Sequence, residues 1–279
     1  MLDVKAKVKQ VKELGPSNYL LTLQSPGQAR LVQPGQFVML KCSEDIDANP
    51  LLRRPFSVFD VHPDSRTGRP TGLDLLVKDV GAGSHKLAHL RPGEEIYTLG
   101  PQGKPFQVPG ELRNRSGGAC LVAGGVGIAA LYLLARRLKS VGITPILFYG
   151  GRSAADLVLR ERFEKLGIEV FYTTEDGTCG ERGIVTAPLD RFLKARARSR
   201  LLVYACGPWL MMRAAHELAV RYAAPCAVSL EARMGCSLGA CMGCVVRAWD
   251  DRREEQYVRV CQEGPVMDSR AIDWESSPF

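Results

Sequence analysis

Four cysteines near the end of the sequence are spaced like the ligands of a metal centre: Cys236, Cys241, Cys244 and Cys261. Thiolates are soft ligands, and a C-x4-C-x2-C…C spacing is that of plant-type [2Fe-2S] proteins, in which one tight loop supplies three ligands. Small residues keep the loop compact and let backbone N–H groups face the cluster sulfurs; they are Gly235, Gly239, Ala240 and Gly243. The spacing therefore predicts a [2Fe-2S] cluster.

Two other interpretations of these cysteines stay open. A structural zinc ion is more often held by two separated C-x2-C pairs, whereas four unrelated core cysteines would leave the glycine spacing unexplained. The total of nine cysteines is odd, which argues against a fully paired disulfide framework. Four cysteines without ligand spacing are predicted to be reduced structural residues: Cys42, Cys120, Cys179 and Cys226.

A glycine-rich segment in the middle of the chain runs from a predicted strand into a predicted helix. Within LVAGGVGIAA, from Leu121, the pattern Gly125-x-Gly127-x-x-Ala130 matches the dinucleotide fingerprint, and Gly124 precedes it. Glycine lets a pyrophosphate approach the backbone, and a helix N-terminus favours its charge. The acid of an ordinary dehydrogenase is missing, since residues 148–152 read FYGGR. We expect nucleotide binding in another manner, with a tight turn alone as the open alternative.

Two shorter motifs lie in the first hundred residues. Arg54-Pro55-Phe56-Ser57 falls on a predicted strand, and GAGS, ending in Gly83-Ser84, precedes a helix-like stretch. The arginine can hold a phosphate while the serine hydroxyl turns toward a ring, and the glycine turn offers backbone N–H groups. A surface arginine and a plain turn remain alternatives.

His85 and His89 share one helical face at i, i+4, which is a possible metal-binding pair. No third ligand accompanies them in the sequence, so a solvated helix face is the favoured interpretation.

Three patterns of periodicity indicate the elements that position these residues. Short apolar runs separated by turn residues, beginning with an alternating strand at Asp3–Lys9, predict an antiparallel barrel over about the first hundred residues. After Gly117, strands alternate with helical stretches, which predicts a mostly parallel sheet with ligands at the carboxyl ends of its strands. The glycine segment and the loop 205–208 lie at such ends.

The last 45 or so residues are too few to build a core without a metal or another staple. We therefore predict three domains: a barrel at 1–105, an α/β nucleotide-binding domain at 106–228 and a [2Fe-2S] domain at 229–279.

The composition indicates the class of protein, its location and the partners it does not favour. With 279 residues, 46% of them hydrophobic and 24% charged, the chain has the composition of a globular protein. Neither a membrane span nor a signal peptide is recognisable, so a cytoplasmic location is expected. The net charge is +7, but the basic residues are scattered and aromatic residues make up only 7%, which disfavours nucleic acid as a partner.

Taken in order, the motifs RPFS, GAGS, LVAGGVGIAAL, YACGP and SLEARMGC with its three following cysteines resemble the ferredoxin-reductase superfamily. Within it, the chain is most similar to the electron transfer subunits of dihydroorotate dehydrogenase B, over nearly its whole length. The resemblance implies FAD, a [2Fe-2S] cluster and NAD as cofactors.

The resemblance also implies roles for individual residues. Ser57 and Cys206 are implied as catalytic, the first beside the flavin and the second beside the nicotinamide ring; a small core residue is an equal alternative for Cys206. The implied FAD-binding residues are Arg54, Pro55, Phe56, Ser57, Leu76, Val77, Lys78, Gly83 and Ser84. Those implied for the nicotinamide nucleotide are Gly124, Gly125, Gly127, Cys206, Gly207 and Pro208, and the four cysteines hold the cluster.

The implied partner is an FMN-containing dihydroorotate dehydrogenase catalytic subunit, with two copies of each subunit, which oxidises dihydroorotate in pyrimidine synthesis. Met234, Leu238 and Met242 are apolar residues around the cluster loop, which is too short to bury them all; docking and local packing are both open for them. Reductase subunits of ferredoxin, hydrogenase or sulfite reductase complexes, and a non-enzymatic redox sensor, are alternative functions. Some relatives in those complexes have Asp in place of the first cluster cysteine, so Cys236 favours the pyrimidine enzyme.

Overall fold

The computed structural model of the chain describes residues 1–42, 49–108, 110, 118–196 and 199–276. Its first six strands close into an antiparallel barrel with the order β1-β2-β5-β4-β3-β6. These strands are β1 (Leu2–Gly15), β2 (Asn18–Gln24), β3 (Phe37–Leu40), β4 (Arg54–Pro63), β5 (Pro70–Lys78) and β6 (Glu95–Gln102). Two short helices, α1 (Pro26–Leu31) and α2 (Ala82–Ala88), cover the barrel. The predicted antiparallel barrel is confirmed.

Alternation of side chains explains how the barrel buries its interior. In β1, Ala6 and Val8 are fully buried while the lysines between and beside them face outward. The interior is filled by aliphatic residues that include Leu21, Leu23, Val38, Leu40, Val58, Leu73, Leu75 and Val77. The first strand extends six residues beyond the predicted end at Lys9, because β1 pairs with both β2 and β6 and turns the corner between them.

A seven-stranded sheet follows the barrel, with the order β10-β9-β8-β7-β11-β12-β15. Its parallel strands are β7 (Ala119–Gly124), β8 (Ile146–Gly151), β9 (Glu169–Thr174), β10 (Glu181–Arg182), β11 (Leu202–Cys206) and β12 (Cys226–Ser229). The strand order reverses between β7 and β11. In open α/β sheets, the crevice at such a reversal is where ligands bind, so the sheet directs attention to the ends of these two strands.

The helices of this sheet are α3 (Tyr132–Ser140), α4 (Arg160–Glu164), α5 (Thr186–Ala195) and α6 (Trp209–Arg221). The sequence pattern predicts longer helices, at 128–140 and 154–166. Both predictions are wrong at the start of the helix, since α3 begins only at Tyr132 and α4 only at Arg160. A 3-10 turn at Gly125–Ala130 precedes α3, and another at Ala154–Asp156 stands apart from α4. The buried Tyr149 hydroxyl donates to the carbonyls of Asp156 and Val158, and Leu159 is left-handed, so α4 begins only afterwards.

The C-terminal segment is continuous with the sheet. It forms a hairpin of β13 (Val245–Trp249) and β14 (Glu255–Arg259), and then β15 (Val266–Asp268) pairs antiparallel with β12. Its buried side chains Met234, Val246 and Trp274 belong to the same apolar core as the sheet residue Val203. The predicted division at 228/229 falls inside β12, and the division into three domains remains a prediction.

Charged side chains join the barrel to the nucleotide-binding sheet. Asp60 of β4 and Asp74 of β5 are almost fully buried. Arg136 of α3 donates to Asp60, and Arg162 of α4 lies 3.5 Å from Asp74. His62 Nε2 lies 2.6 Å from the Asp74 carboxylate. Because buried carboxylates need paired charges, this interface fixes the barrel and the sheet in one relative orientation.

We expect the substitution His62→Gln to flatten the pH dependence of thermal stability above about pH 6.5. The hydrogen bond to Asp74 raises the pKa of His62 above its ordinary value. The charged imidazole therefore stabilises the folded state below about pH 6.5, and this contribution is lost as the pH rises through the folded-state pKa. Melting temperatures of both proteins from pH 6 to 9 check this. Parallel curves would show that His62 contributes nothing to the pH dependence.

Among the described residues, no helix has the length and apolar character needed to cross a membrane.

Candidate functional site

The cysteine loop between β12 and β13 folds around its own sulfur atoms. The Cys236 Sγ accepts from the backbone N–H groups of Leu238 at 3.3 Å and Cys241 at 3.4 Å. These two N–H groups lower the pKa of the Cys236 thiol to about 6. The Cys241 Sγ in turn accepts from Gly243 N–H at 3.5 Å. Backbone amides aimed at thiolates are what an iron–sulfur cluster requires of its loop.

The other two cysteines lie below the loop in the core. Cys244 and Cys261 are buried, and Val260 N–H donates to the Cys244 carbonyl, which brings the end of β14 against the loop. Burial raises the pKa of the Cys261 thiol to about 11, and the neighbouring Cys244 adds to this effect. The four cysteines therefore form an outer pair, 236 and 241, and an inner pair, 244 and 261. A soft, positively charged group between the pairs fits this donor set.

Glycines and polar side chains hold the shape of the loop. A Cβ at Gly235 or Gly243 would lie 3.4 to 3.5 Å from the Cys241 Sγ, so both glycines pack against this sulfur. Gly239 has a φ of +78°, and its carbonyl accepts from the Arg259 guanidinium. Arg259 is itself paired with Glu263 at 2.5 Å. The strand β14 thus fixes the loop from one side.

The predicted flavin motifs come together at one end of the barrel. Arg54 begins β4 opposite Leu40, and Ser57 lies opposite Phe37. A Cβ at Gly83 would lie 3.1 Å from the Pro50 ring and 3.4 Å from the Arg54 side chain, so the start of α2 packs against both residues. The Arg54 guanidinium donates to the carbonyls of Leu52 and Arg53 and is partly exposed. This arrangement fits an anionic group at the barrel surface.

The other residues predicted to bind FAD divide between surface and interior. Val77 is fully buried among the barrel side chains, so only its backbone is available to a ligand. Leu76 points the other way, toward the core shared with the sheet. Lys78 ends β5 and lies 3.3 Å from Asp156, across the interface. The Ser84 hydroxyl accepts from the N–H groups of Val80 and Gly81 and so closes its own turn. Pro55 and Phe56 are half-buried on β4.

A cavity of about 590 Å³ opens where the strand order reverses, between the sheet and the barrel. It is lined by both predicted nucleotide loops and by residues from neighbouring strands, among them Lys78, Gly124, Gly125, Gly151, Glu175, Gly207, Pro208 and Glu231. The first residues of the 3-10 turn, Gly125 and Val126, lie in the wall of the cavity. Its volume is in the range of ligand pockets.

Close backbone contact explains the glycines at this reversal. A Cβ at Gly127 would collide with the carbonyl of Cys206 and would lie 2.7 Å from the nitrogen of Gly207. A Cβ at Gly124 would lie 2.6 Å from the Pro208 ring. The loops after β7 and β11 therefore pack backbone against backbone, which only glycine permits.

The Cys206 side chain packs in the apolar core that the sheet shares with the barrel, with Ser229 and Glu231 beside its thiol. It is 2% exposed, and burial raises the pKa of its thiol well above the ordinary value. The loop that follows it, Gly207-Pro208, does line the cavity. The catalytic roles of Cys206 and Ser57 remain predictions.

Three carboxylates in the cavity wall were missed from the sequence because no motif distinguishes them. Glu175 follows β9, and Glu231 follows β12. The surrounding protein raises the pKa of Glu231, although its side chain keeps contact with solvent in the cavity. Burial alone would raise the pKa of Asp156, but Lys78 and Arg152 outweigh it, and the pKa is lowered. Glu175 could have been predicted from one pattern, an acidic residue directly after a strand in the same sheet as the glycine loop.

Comparisons with known proteins agree with this geometry. Residues 231–273 match the iron–sulfur cluster binding domain of dihydroorotate dehydrogenase B, and residues 121–217 match the oxidoreductase NAD-binding domain. A dihydroorotate dehydrogenase B (NAD(+)) electron transfer subunit of Desulforamulus reducens is 34% identical over 97% of this chain and 98% of its own length. One of Bacillus cereus is 36% identical over 92% and 93%.

The chain belongs to the dihydroorotate dehydrogenase B electron transfer subunit family. The resemblance inferred from the motifs is thereby confirmed. Solved structures support the fold of this family member. An NADH-dependent reduced ferredoxin-NADP oxidoreductase, studied for flavin-based electron bifurcation, superposes with a TM-score of 0.81 at 28% identity, covering 97% of this chain and 90% of that one. A ferredoxin reductase of carbazole 1,9a-dioxygenase, at 21% identity and a TM-score of 0.66, covers 80% of this chain and 67% of its own and shares the fold.

The matched domains and the reductase fold imply the three cofactors expected from the sequence: FAD, an iron–sulfur cluster and NAD. The arrangement of a barrel, a parallel nucleotide-binding sheet and a C-terminal iron–sulfur domain is confirmed. As a member of this family, the chain is an oxidoreductase-type electron transfer subunit.

Proposed function

We propose that this chain accepts electrons from the FMN of a dihydroorotate dehydrogenase catalytic subunit and passes them through [2Fe-2S] and FAD to NAD+ in cytoplasmic pyrimidine biosynthesis. The observation that carries the proposal is the match to electron transfer subunits over 97% of the chain. When bound, FAD supplies the exchange between single electrons and a hydride. The chain's own residues hold the three redox groups at fixed positions.

The cluster ligands proposed are the four cysteines of the outer and inner pairs. The outer pair lies near the surface, with Cys241 exposed, so a redox partner can approach it. The inner pair is buried toward the sheet. This arrangement places the outer pair toward a redox partner and the inner pair toward the rest of the chain.

For FAD, Arg54 and the turn at Gly83 and Ser84 are proposed to hold phosphate, and Ser57 and the backbone of β5 from Leu76 to Lys78 to face the flavin. For NAD, the glycine loop receives the pyrophosphate, and Gly207-Pro208 bounds the nicotinamide side of the cavity. The Glu175 carboxylate is suited to accept hydrogen bonds from ribose hydroxyls.

An exposed apolar patch beside the cluster supports a catalytic subunit as partner. Leu51, Leu52, Leu238 and Met242 are each about half exposed or more. A Cβ at Gly235 would lie 3.7 Å from Leu52, so the barrel side of the patch reaches the cluster loop. Met234 is buried instead and packs in the core. Apolar groups gathered around a redox centre are suited to a stable interface, and we propose two copies of each subunit.

Co-expression with an FMN-containing catalytic subunit tests this function. We expect a complex stable at micromolar concentration with dihydroorotate:NAD oxidoreductase activity. Separate elution without coupled activity would refute the assignment. The similarity to the NADH-dependent ferredoxin-NADP oxidoreductase favours a second candidate, a reductase subunit of another electron-transfer complex. In that case NADH would still bleach the flavin absorbance, but dihydroorotate would not.

The substitution Arg54→Ala is expected to lower FAD affinity by up to about a hundredfold, because a charge-assisted phosphate contact contributes about 1.5–3 kcal/mol. Arg53→Ala is the matched control, since Arg53 is committed to both carboxylate oxygens of Asp3 at 2.9 Å. FAD content after extensive dialysis is the measurement. Equal retention of flavin in both variants would mean that Arg54 does not contact the cofactor.

A further inference from the structure

Two histidines and an aspartate converge on the outer face of the barrel, where β5 leads into α2. Asp79 follows β5 directly, while His85 lies in α2 and His89 just after it. One ligand atom from each of the three lies within 4.8 Å of the other two. The sequence offered only the histidine pair. The third residue was missed because the turn at 80–84 separates it from them.

Hydrogen bonds fix the tautomers of both histidines. His85 Nδ1 lies 2.8 Å from the Asp79 carboxylate, and His89 Nδ1 lies 2.8 Å from the His85 carbonyl. Both oxygens accept, so each Nδ1 carries a proton and Nε2 is the ring nitrogen left to bind an ion. Histidines that bind metals almost always donate their other ring N–H to a carboxylate or a backbone carbonyl. Both rings are therefore set as metal ligands.

The position of the two imidazole rings agrees with a role as metal ligands. Their centroids are 4.2 Å apart, and both side chains are exposed, so an ion can reach them from solvent. A second group, Asp60, His62 and Asp74, has a similar ligand spacing. There, Arg136 and Arg162 already neutralise the carboxylates. The group at the end of β5 has no such arginine among the described contacts.

We propose that His85 and His89, together with Asp79, bind a divalent transition-metal ion of the zinc, nickel or copper class. Imidazole ligands suit these metals, and two histidines at i, i+4 ligate one ion from a helical face. Asp79 orients His85 through the hydrogen bond at Nδ1, and water fills the remaining positions on the ion.

Such an ion joins the end of β5 to α2 and restrains the turn between them. This turn carries Gly83 and Ser84. The metal site does not depend on the proposed function, whereas an effect of the metal on FAD retention does. Amide hydrogen exchange distinguishes failure of the metal site from failure of the proposed function. It measures how far the metal restrains the turn, whether or not the turn binds flavin.

Calorimetric titration of the protein loaded with cluster and FAD, using Zn²⁺ and then Ni²⁺, tests the site. We expect His85→Ala and His89→Ala each to weaken binding at least about tenfold, and Asp79→Asn to weaken it about ten- to a hundredfold. His216→Ala is the control, because His216 bonds to Ser269 on another face. These side chains are exposed or half-exposed, so the variants are expected to fold.

Zinc bound by exposed cysteines would persist equally in all four variants, so this site is measured by the zinc affinity that the His85, His89 and Asp79 variants lose relative to the wild type and His216→Ala. Amide exchange in residues 79–90 is expected to slow on adding Zn²⁺ to the wild type and not to His89→Ala. Equal zinc affinity in the wild type and both histidine variants, or unchanged exchange in the wild type, would overturn the proposal.

Discussion

The substitution Cys241→Ser is expected to abolish the iron–sulfur cluster and the coupled dihydroorotate:NAD activity. Serine offers a hard oxygen that is not ionised at neutral pH in place of a soft thiolate, so one of four ligands is lost. Hydride exchange between NADH and flavin requires only the barrel and the sheet. NADH oxidation by an artificial acceptor is therefore expected to persist. Iron analysis and a diaphorase assay measure the two effects.

Cys179→Ser provides the control for that experiment. Cys179 is partly exposed and lies 3.2 Å from the Arg160 guanidinium, far along the chain from the cluster loop. Iron content and both activities are expected to stay at the wild-type level. Two irons per chain in Cys241→Ser would exclude Cys241 as a ligand, whereas loss of iron in both variants would indicate general instability of the protein.

The substitution Gly127→Ala is expected to reduce NADH oxidation by up to about a hundredfold. Its Cβ would collide with the Cys206 carbonyl, and neither backbone can give way without moving β7 from β11. Displacing a reacting group by about 1 Å can cost about a hundredfold in rate. Overpacking of this kind also lowers the free energy of unfolding by about 1–3 kcal/mol.

The kinetic test of Gly127→Ala uses kcat/KM for NADH with an artificial acceptor, together with iron and FAD content. Gly110→Ala is the matched control, because a Cβ there meets nothing within 4 Å. Cluster and flavin are expected to remain in both variants. Wild-type kinetics in Gly127→Ala would mean that the contact between the two loops does not position the nucleotide.

Sequence patterns predicted those features that depend on local chemistry. The barrel strands follow from alternation, and the cysteine loop follows from ligand spacing, because both need particular residue types at particular intervals. The start of α4 was not predictable, since it depends on the Tyr149 hydroxyl bonding to carbonyls seven and nine residues away. Helix propensity carries no information about such a bond.

The residues that line the cavity were also only partly predictable from local sequence patterns. Glycines identified its two loops, but Glu175 and Glu231 enter its wall from strands far apart in the sequence. Neither carboxylate belongs to a short motif, so only the strand order brings them beside the glycine loop. Cys206 is a further case: the resemblance implies a catalytic role beside the nicotinamide ring, with a core residue as the equal alternative, and its side chain packs in the apolar core while the catalytic role stays a prediction.

The pairing of β15 with β12 has a consequence for how the protein is made. During synthesis the chain emerges from its N-terminus, and earlier parts fold first. The edge of β12 therefore stays open until residues 266–268 have been translated. Unpaired strand edges are templates for aggregation, so the nascent subunit is exposed to that risk until β15 has been made. Cys261 precedes β15 by only a few residues. The last cluster ligand and the strand that closes the sheet thus become available at nearly the same moment of translation.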